Sequence, residues 1–580
     1  MNEKKKRKIL KAPWTKYYEK GKTNLEYPNC SLYTRISKTA DKFPDRIATN
    51  YFDTTYTYKK LIQNIDICAA SFNSLGIGIG DVVTICMPNT PEAITAFYAL
   101  NKIGAIANMI HPLSGENEIK NYINKSNSKM LITIDLAWEK VLNVLDDINI
   151  KNIVIISVND SMNPILKLGY DVTKGRKVKK PPRYSSFVMN WQTFFSKGKD
   201  CTFELDAKLK GNAYAAILYS GGTSGDPKGI VLSNRAFNAV AIQSIVAMGD
   251  VSEEDIILSI LPIFHGFGLG ICVHTILVKG ATSILVPAFS AKTFDRLLSH
   301  YKPSIICGVP TLFEALLGND KIAKLDLSFI RYVISGGDSL SISLKGKIDT
   351  FLKSRGSNAE VRQGYGLTEC VAASCLELEH IHKPGSIGIP FPDVYYKIVE
   401  PRTHFEVPYG KDGEIVIHAP NLMSGYYNDE IETNKALQIH SDGLLWLHTG
   451  DMGYMDEDGF LFFKQRIKRM IVSAGYNLYP QYIENVIDSH PDVMMSTVVG
   501  IDHNYKGQVA KAFVVLKEGI KPSHSLKDSI KEYCAKTLPK YSLPYEIEFR
   551  VSLPKTLVGK IAYTKLMEEE MNKKNKKNQD

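Results

Sequence analysis

The stretch YSGGTSGDPKGI (219–230) gathers four glycines, three small hydroxyl side chains and one lysine into twelve positions. Glycine lets successive backbone N–H groups turn toward one point with no Cβ in the way. Thr223 and Ser224 add hydroxyl donors and Lys228 adds a cation, so the stretch has the chemistry of a phosphate cradle. It is not the Walker A form, because Gly229 follows Lys228 where that motif has Ser or Thr. Taken alone, the same residues also suit a glycine-rich turn that holds nothing.

More stretches of suggestive composition follow in order. PIFHGFGLG (262–270) carries His265, SGGDSL (335–340) carries Gly337, and RQGYGLTEC (362–370) carries Gln363, Tyr365, Thr368 and Glu369. HTGDMGYMDEDGF (448–460) supplies Asp451, KQRIKRMIVSAGYNLYP (464–480) supplies Arg466, Lys468 and Gly475, and LPKTLVGKIAY (553–563) supplies Lys560. Each is ambiguous by itself. A tyrosine face can stack on a base or fill a core. One glutamate is a thin metal signal, since Mg²⁺ takes one or two carboxylates plus phosphate oxygens. TGD is by itself a plain turn, and most histidines are structural.

The elements that must position these residues are legible as periodicity. AYAAILYS (213–220) is an apolar run of strand length, and AFNAVAIQSIVAM (236–248) has helical spacing, so the glycines are expected between a buried strand and a helix. From about 30 to 470, strand-like runs such as DVVTICM (81–87), KMLITID (129–135), NIVIISV (152–158), ATSILVP (281–287), PSIICGV (303–309) and IRYVISGG (330–337) alternate with helical segments. That alternation predicts α/β layers with parallel strands. In AITAFYALNKIGAIANMI (93–110), Asn101 and Lys102 interrupt the apolar run, so a buried helix leading into a strand is expected, not a membrane span. Segment 163–199 breaks the pattern and reads as a basic insertion. Residues 386–465 read as a small β subdomain of short strands and turns, and an α+β texture follows 470, with a helix near 525–537.

Length implies about three or four domains or subdomains. The 580 residues are 44% hydrophobic and 23% charged, ordinary for a globular protein. Nine cysteines without a CxxC pair suit buried thiols in a reducing, cytoplasmic setting. The opening MNEKKKRKILKAPW begins like a signal peptide, but no apolar region follows it. Residues 1–11 carry +5, 163–199 carry +8 and 571–580 carry +3; against a total of +10, the remainder nets −6. The basicity belongs to tails and one segment, which argues against a nucleic-acid groove.

Taken together and in this order, the motifs closely resemble those of the adenylate-forming superfamily, most of all its fatty-acyl-CoA synthetases. The resemblance runs from about residue 30 to 566. It implies an α/β fold with a large N-terminal domain of α/β layers over 30–467, containing the small β subdomain, and a mobile, smaller α+β C-terminal domain over 468–566. Residues 1–29 and 567–580 are left as basic tails.

The family's phosphate loop reads TSGTTGxPKG, and here SGGTSGDPKG begins at Ser220. The resemblance implies that Ser220, Gly222, Thr223, Ser224, Gly225 and Lys228 grip the β- and γ-phosphates of ATP, with Gly221 in a backbone role. It implies that Gly337, Gln363 and Tyr365 border adenine, that Thr368 contacts the α-phosphate and that Glu369 holds Mg²⁺. Asp451 would accept both ribose hydroxyls with Arg466 nearby, His265 would lie beside the acyl site, and Lys560 would act in adenylation. Lys468 matches the hinge between two orientations of the C-terminal domain. Arg469 stands where an acid is common, which leaves a hinge-side ion pair without its usual partner. Gly475 would leave room for the pantetheine arm of coenzyme A.

Amino-acid-activating relatives place an aspartate near the His265 stretch. This chain has none there, which suits the uncharged tail of a medium- or long-chain fatty acid, with ICGVPTLFEALL (306–317) as further pocket wall. A rival reading is an acyl-AMP ligase loading a free acyl carrier protein, since no carrier domain follows in the chain. A reading of another class is a non-catalytic lipid-binding or membrane scaffold. Segment 163–199 interleaves nine Lys/Arg with Tyr170, Tyr184, Phe187, Trp191, Phe194 and Phe195. It reads either as a solvated loop or as a peripheral contact with anionic membrane, its aromatics at the interface.

Overall fold

The computed structural model describes residues 12–173, 175, 187–199, 205–219, 227–474, 476–555 and 561–577. Among them, two large sheets carry the first two-thirds of the chain. One has eight strands, with Val82–Cys86 parallel to both Ile106–Met109 and Met130–Ile134, and Asn152–Ile156 beyond. The other has nine, including parallel Ile256–Ser259, Ile305–Gly308, Tyr332–Ser335 and Val361–Tyr365. Continuous apolar runs such as Val82–Cys86 are buried along their whole length, as strands covered on both faces must be.

Helix Pro91–Ile103 shows how the local sequence sets an element. Thr90 caps its first turn through Ala93 N–H, Pro91 opens it, and Gly104 closes it at φ +82°. Every residue of the helix is buried, and strand Ile106–Met109 follows directly, as expected for 93–110. The polar interruptions are satisfied inside the layer. Asn101 Oδ1 accepts from Tyr33 N–H at 3.1 Å, Asn101 Nδ2 donates to Asn234 Oδ1 at 2.7 Å, and Lys102 Nζ reaches Asp66 at 2.7 Å.

The surroundings of the glycine loop differ from the expectation. Tyr214–Tyr219 is the buried strand foreseen, but it pairs antiparallel with a second strand, Gly229–Ser233, and helix Asn234–Met248 begins only after Ser233 caps it. The loop therefore joins two strands of a hairpin. Ile230, Val231 and Leu232 supply the missed strand, all buried, in a segment too short to show a period of two. Residues 220–226, with Ser220, Gly222, Thr223, Ser224 and Gly225, lie outside the described residues.

Segment 163–199 is only partly an insertion. Val188–Asn190 forms the parallel edge strand beside Asn152–Ile156, and helix Trp191–Ser196 packs Phe194, fully buried, against Phe72 at 4.9 Å between ring centroids. Trp191, Phe195 and Phe187 also pack on the core, so they are not membrane-facing aromatics. Helix Pro164–Val172 does stand out, with no buried residue. Tyr184 and most of the basic run 174–186 lie outside the described residues.

Beyond residue 390, strands Tyr395–Val399, Gly413–His418, Leu445–Met455, Leu437–Ile439 and Leu461–Arg466 form an antiparallel sheet. The final part pairs Val493–His503 with Gly507–Leu516 and covers them with helices Pro480–Asp488 and His524–Ala535 around a core of its own. No described helix is long and apolar enough to cross a membrane.

Candidate active site

Strand Val361–Tyr365 ends in a tight turn that carries Thr368 and Glu369. Val371 closes this turn at φ +67°, a strained value for a β-branched residue. The loop of His265 is pressed against it: a Cβ on Gly266 would lie 1.4 Å from the Val371 carbonyl oxygen. Only glycine permits that approach, and it is what brings the His265 loop to the Thr368–Glu369 turn. His265 donates its N–H to Pro262 O at 3.1 Å, and its Nδ1 accepts from Phe267 N–H at 3.3 Å. A π-helical stretch follows over Phe267–Thr275, an irregularity that recurs at functional sites.

Glu369 is fastened by a segment that the motif reading passed over, Asn421–Tyr427. Asn421 Nδ2 holds the Cys370 and Ala373 carbonyls, each at 3.0 Å, and Met423 N–H donates to Glu369 O at 2.7 Å. The two-residue strand Gly425–Tyr426 then pairs with Gly229–Ser233, Tyr426 opposite Ile230. The Tyr426 hydroxyl donates to Glu369 Oε1 at 3.0 Å, and the Lys228 ammonium lies 4.8 Å from the centre of the Tyr426 ring. Burial and the Glu369 carboxylate raise the Tyr426 phenol, so it stays a donor. Lys228 also pairs with Glu432, whose carboxyl is pushed down to about 2 by hydrogen bonds from Lys228 and Lys435. The sequence signal for Tyr426 was a glycine–tyrosine pair in MSGYYNDE, too common to single out, and Glu432, two residues beyond, carried none.

A second group lies at the other side of Tyr365. Its hydroxyl donates to Asp451 Oδ2 at 2.7 Å, and Arg466 Nε approaches Asp451 Oδ1 at 3.4 Å. Asp451 and Arg466 are register partners on adjacent strands, so the pair is set by the sheet. Asp451 is 2% exposed and keeps the Arg466 guanidinium firmly charged. Gln363 sits two residues back, opposite Ser335, with its N–H donating to Glu377 Oε2 at 2.8 Å. Gly337 follows at φ +79°, and Phe267 reaches this strand end, 3.1 Å from where a Cβ on Gly336 would stand.

The structure thus brings together Lys228, Glu369 and the His265 loop on one side, and Tyr365, Asp451 and Arg466 on the other, with Thr368 between. Gly475 and Lys560 lie outside the described residues; Lys555 and Ile561, on either side of 556–560, form an antiparallel bridge. Lys468 and Arg469 form a short turn after Leu461–Arg466. Arg469 has its acid after all. It pairs with Glu484 at 2.5 Å, donates to Val498 O at 3.2 Å and lies 4.5 Å from the Tyr563 ring centre. The residue that left the hinge-side ion pair without its usual partner thus makes one of its own, with Glu484 from the following helix.

A fold of two large α/β sheets, a small β sheet and a separate terminal unit, with its polar residues gathered where these meet, is that of an adenylate-forming enzyme. The chain belongs to the AMP-binding enzyme family: residues 36–427 match that family, and residues 482–560 match the AMP-binding enzyme C-terminal domain. It is 32% identical over 569 residues to a long-chain-fatty-acid–CoA ligase of Bacillus subtilis, covering 96% of this chain and 98% of that one. Among solved structures, a Mycobacterium tuberculosis fatty acyl CoA synthetase is 27% identical with a TM-score of 0.66, over 93% of this chain and 98% of the other. An anthranilate CoA ligase with bound anthranoyl-AMP shares the fold at a TM-score of 0.81 and 22% identity, over 94% and 98%. The reading of the motifs as those of an AMP-forming acyl-CoA ligase agrees with these relatives.

Proposed function

We propose that this protein activates a medium- or long-chain fatty acid with ATP and transfers the acyl group to coenzyme A. The observation that carries the reading is the convergence of Lys228, Tyr426 and Glu369 beside Thr368, next to the Tyr365–Asp451–Arg466 group. A carboxylate is a poor electrophile because oxide would have to leave. Its attack on the ATP α-phosphate makes a mixed anhydride and releases pyrophosphate. The coenzyme A thiol then attacks the acyl carbonyl, forms the thioester and releases AMP.

Each group in the site has a physical reason for its role. Lys228 would supply a cation where charge gathers at phosphorus, and Lys560 would add a second. Asp451, acceptor-only and nearly buried, suits a ribose diol. Tyr365 orients Asp451 and offers an aromatic face to the purine. Glu369 suits Mg²⁺, since one of its oxygens accepts from Tyr426, which fixes the direction of the other. Bound there, Mg²⁺ would supply charge neutralisation at the phosphates. The apolar His265 loop, closed against Val371, would exclude water from the acyl end.

The test is pyrophosphate release across carboxylic acids from short to long and aromatic, with coenzyme A, with a carrier protein and with neither. Thioester formed on coenzyme A from long-chain acids is the expected result. Turnover only with a carrier protein would replace coenzyme A as the acceptor.

A peripheral membrane contact is the second reading, and helix Pro164–Val172 favours it. Ile165 is 84% exposed, Leu168 66% and Val172 51%, an apolar face beside the most basic segment of the chain. Docking there would bring the acyl site to a substrate concentrated in lipid.

A further inference from the structure

In the small β sheet, three histidines from three separate stretches come together. His404 stands in the turn after Tyr395–Val399, His440 follows strand Leu437–Ile439, and His448 lies in Leu445–Met455. One nitrogen from each lies within 4.8 Å of the other two. A hydrogen bond of 3.0 Å joins His440 Nε2 to His448 Nε2, which an ion between them would replace, and the His404 and His440 rings stack at 4.1 Å. His440 is 4% exposed, whereas His404 lies at the surface.

The hydrogen bonds around the trio set its tautomers. Glu414 Oε2 accepts from His448 Nδ1 at 3.2 Å, which leaves the lone pair of His448 on Nε2. Gln438 Oε1 accepts from His404 Nε2 at 2.7 Å, which leaves the lone pair of His404 on Nδ1. His440 Nδ1 is buried with no hydrogen-bond partner. Glu414 behind His448 and Gln438 behind His404 are outer-shell partners of the kind that metal-ligating histidines carry. Two nitrogens bound at about 2.05 Å to a tetrahedral ion stand about 3.3 Å apart, a few tenths of an ångström beyond the facing Nε2 pair. Lys397, on the same sheet, is paired with Asp442 and lies over the Trp446 ring, so its charge is answered.

We propose that His404, His440 and His448 form a binding site for a divalent transition ion, zinc above all, with water completing the shell on the His404 side. Three imidazoles select borderline ions such as Zn²⁺, Ni²⁺ or Cu²⁺ over Mg²⁺ and Ca²⁺. The role is bracing. Glu414, which orients His448, also accepts from Gly450 N–H at 3.1 Å, directly before Asp451. An ion there ties the turn of His404 to the strand that presents Asp451.

The experiment is calorimetric titration of Zn²⁺ into untagged, chelator-stripped full-length protein, repeated with Co²⁺ to read visible d–d absorption. One equivalent should bind and the cobalt spectrum should be tetrahedral. His404→Ala should abolish the cobalt bands, and Gln438→Ala should weaken binding about tenfold or more. His404 is exposed and Gln438 half-buried, and His300→Ala, at another exposed histidine, should bind as the unaltered chain does. Absence of binding, or binding that survives His404→Ala unchanged, would overturn the site.

Discussion

The hydroxyl of Tyr426 donates to the Glu369 carboxylate at 3.0 Å, joining residues 57 positions apart. Its ring faces the Lys228 ammonium, so one side chain links the proposed metal ligand to the proposed phosphate cation. Tyr426→Phe keeps the ring and removes the hydrogen bond. A bond to a charged group contributes about 1.5–3 kcal/mol, so adenylation should fall about 10- to 100-fold. The Mg²⁺ dependence should move to higher concentration with little change in Tm. Adenylation at the unaltered rate and the same Mg²⁺ requirement would remove Tyr426 from the site.

Lys560→Ala should cripple the first half-reaction by about 10²–10³ and spare the second. Acyl-AMP supplied directly should still be converted to acyl-CoA at close to the normal rate. Equal loss in both steps would refute separate orientations of the C-terminal domain.

Lys468→Pro should act in the opposite sense. Proline fixes φ at its own position and restricts the residue before it. Pyrophosphate exchange should persist while thioester formation stalls. The adjacent Arg469–Glu484 pair is unaltered by this change, so the C-terminal unit should stay folded, as circular dichroism can check. Normal overall turnover would exclude Lys468 as the pivot.

Glu92 sets a pH dependence of stability. It is 4% exposed, bonded to Ser161, and burial pushes its carboxyl up to about 7. The folded state therefore holds a proton that the unfolded state releases near the ordinary value of about 4.5. Stability from this group is full below pH ~4.5, declines as pH rises through 7 and is lost above it, a change on the order of 3 kcal/mol. Glu92→Gln should leave Tm unchanged near pH 4 and raise it at pH 8. A Tm difference that does not vary with pH would contradict this.

Vesicle co-sedimentation tests the membrane contact. Binding should require anionic lipid, weaken as salt rises, and fall when the lysines and arginines of 174–183 are neutralised or Ile165 and Leu168 become Ser. Equal pelleting of unaltered and altered protein at low salt would leave the segment an ordinary loop.

Much of this protein is determined by the sequence alone, because strands buried on both faces must be continuous apolar runs. Val82–Cys86, Met130–Ile134, Ile305–Gly308 and Tyr332–Ser335 all lie where those runs are. The order of the motifs likewise carried the family. What the tertiary structure alone decided depends on residues distant in sequence. Gly229–Ser233 is a strand because Tyr214–Tyr219 and Gly425–Tyr426 lie on either side of it. Trp191 and Phe194 are core because Phe72 and the sheet edge cover them. Glu484 supplies the acid for Arg469 from another element, and His404 meets His440 and His448 only through strand pairing. A side chain's local neighbours set its backbone preference, but its partner is chosen by the packing of whole sheets, which no single stretch of sequence records.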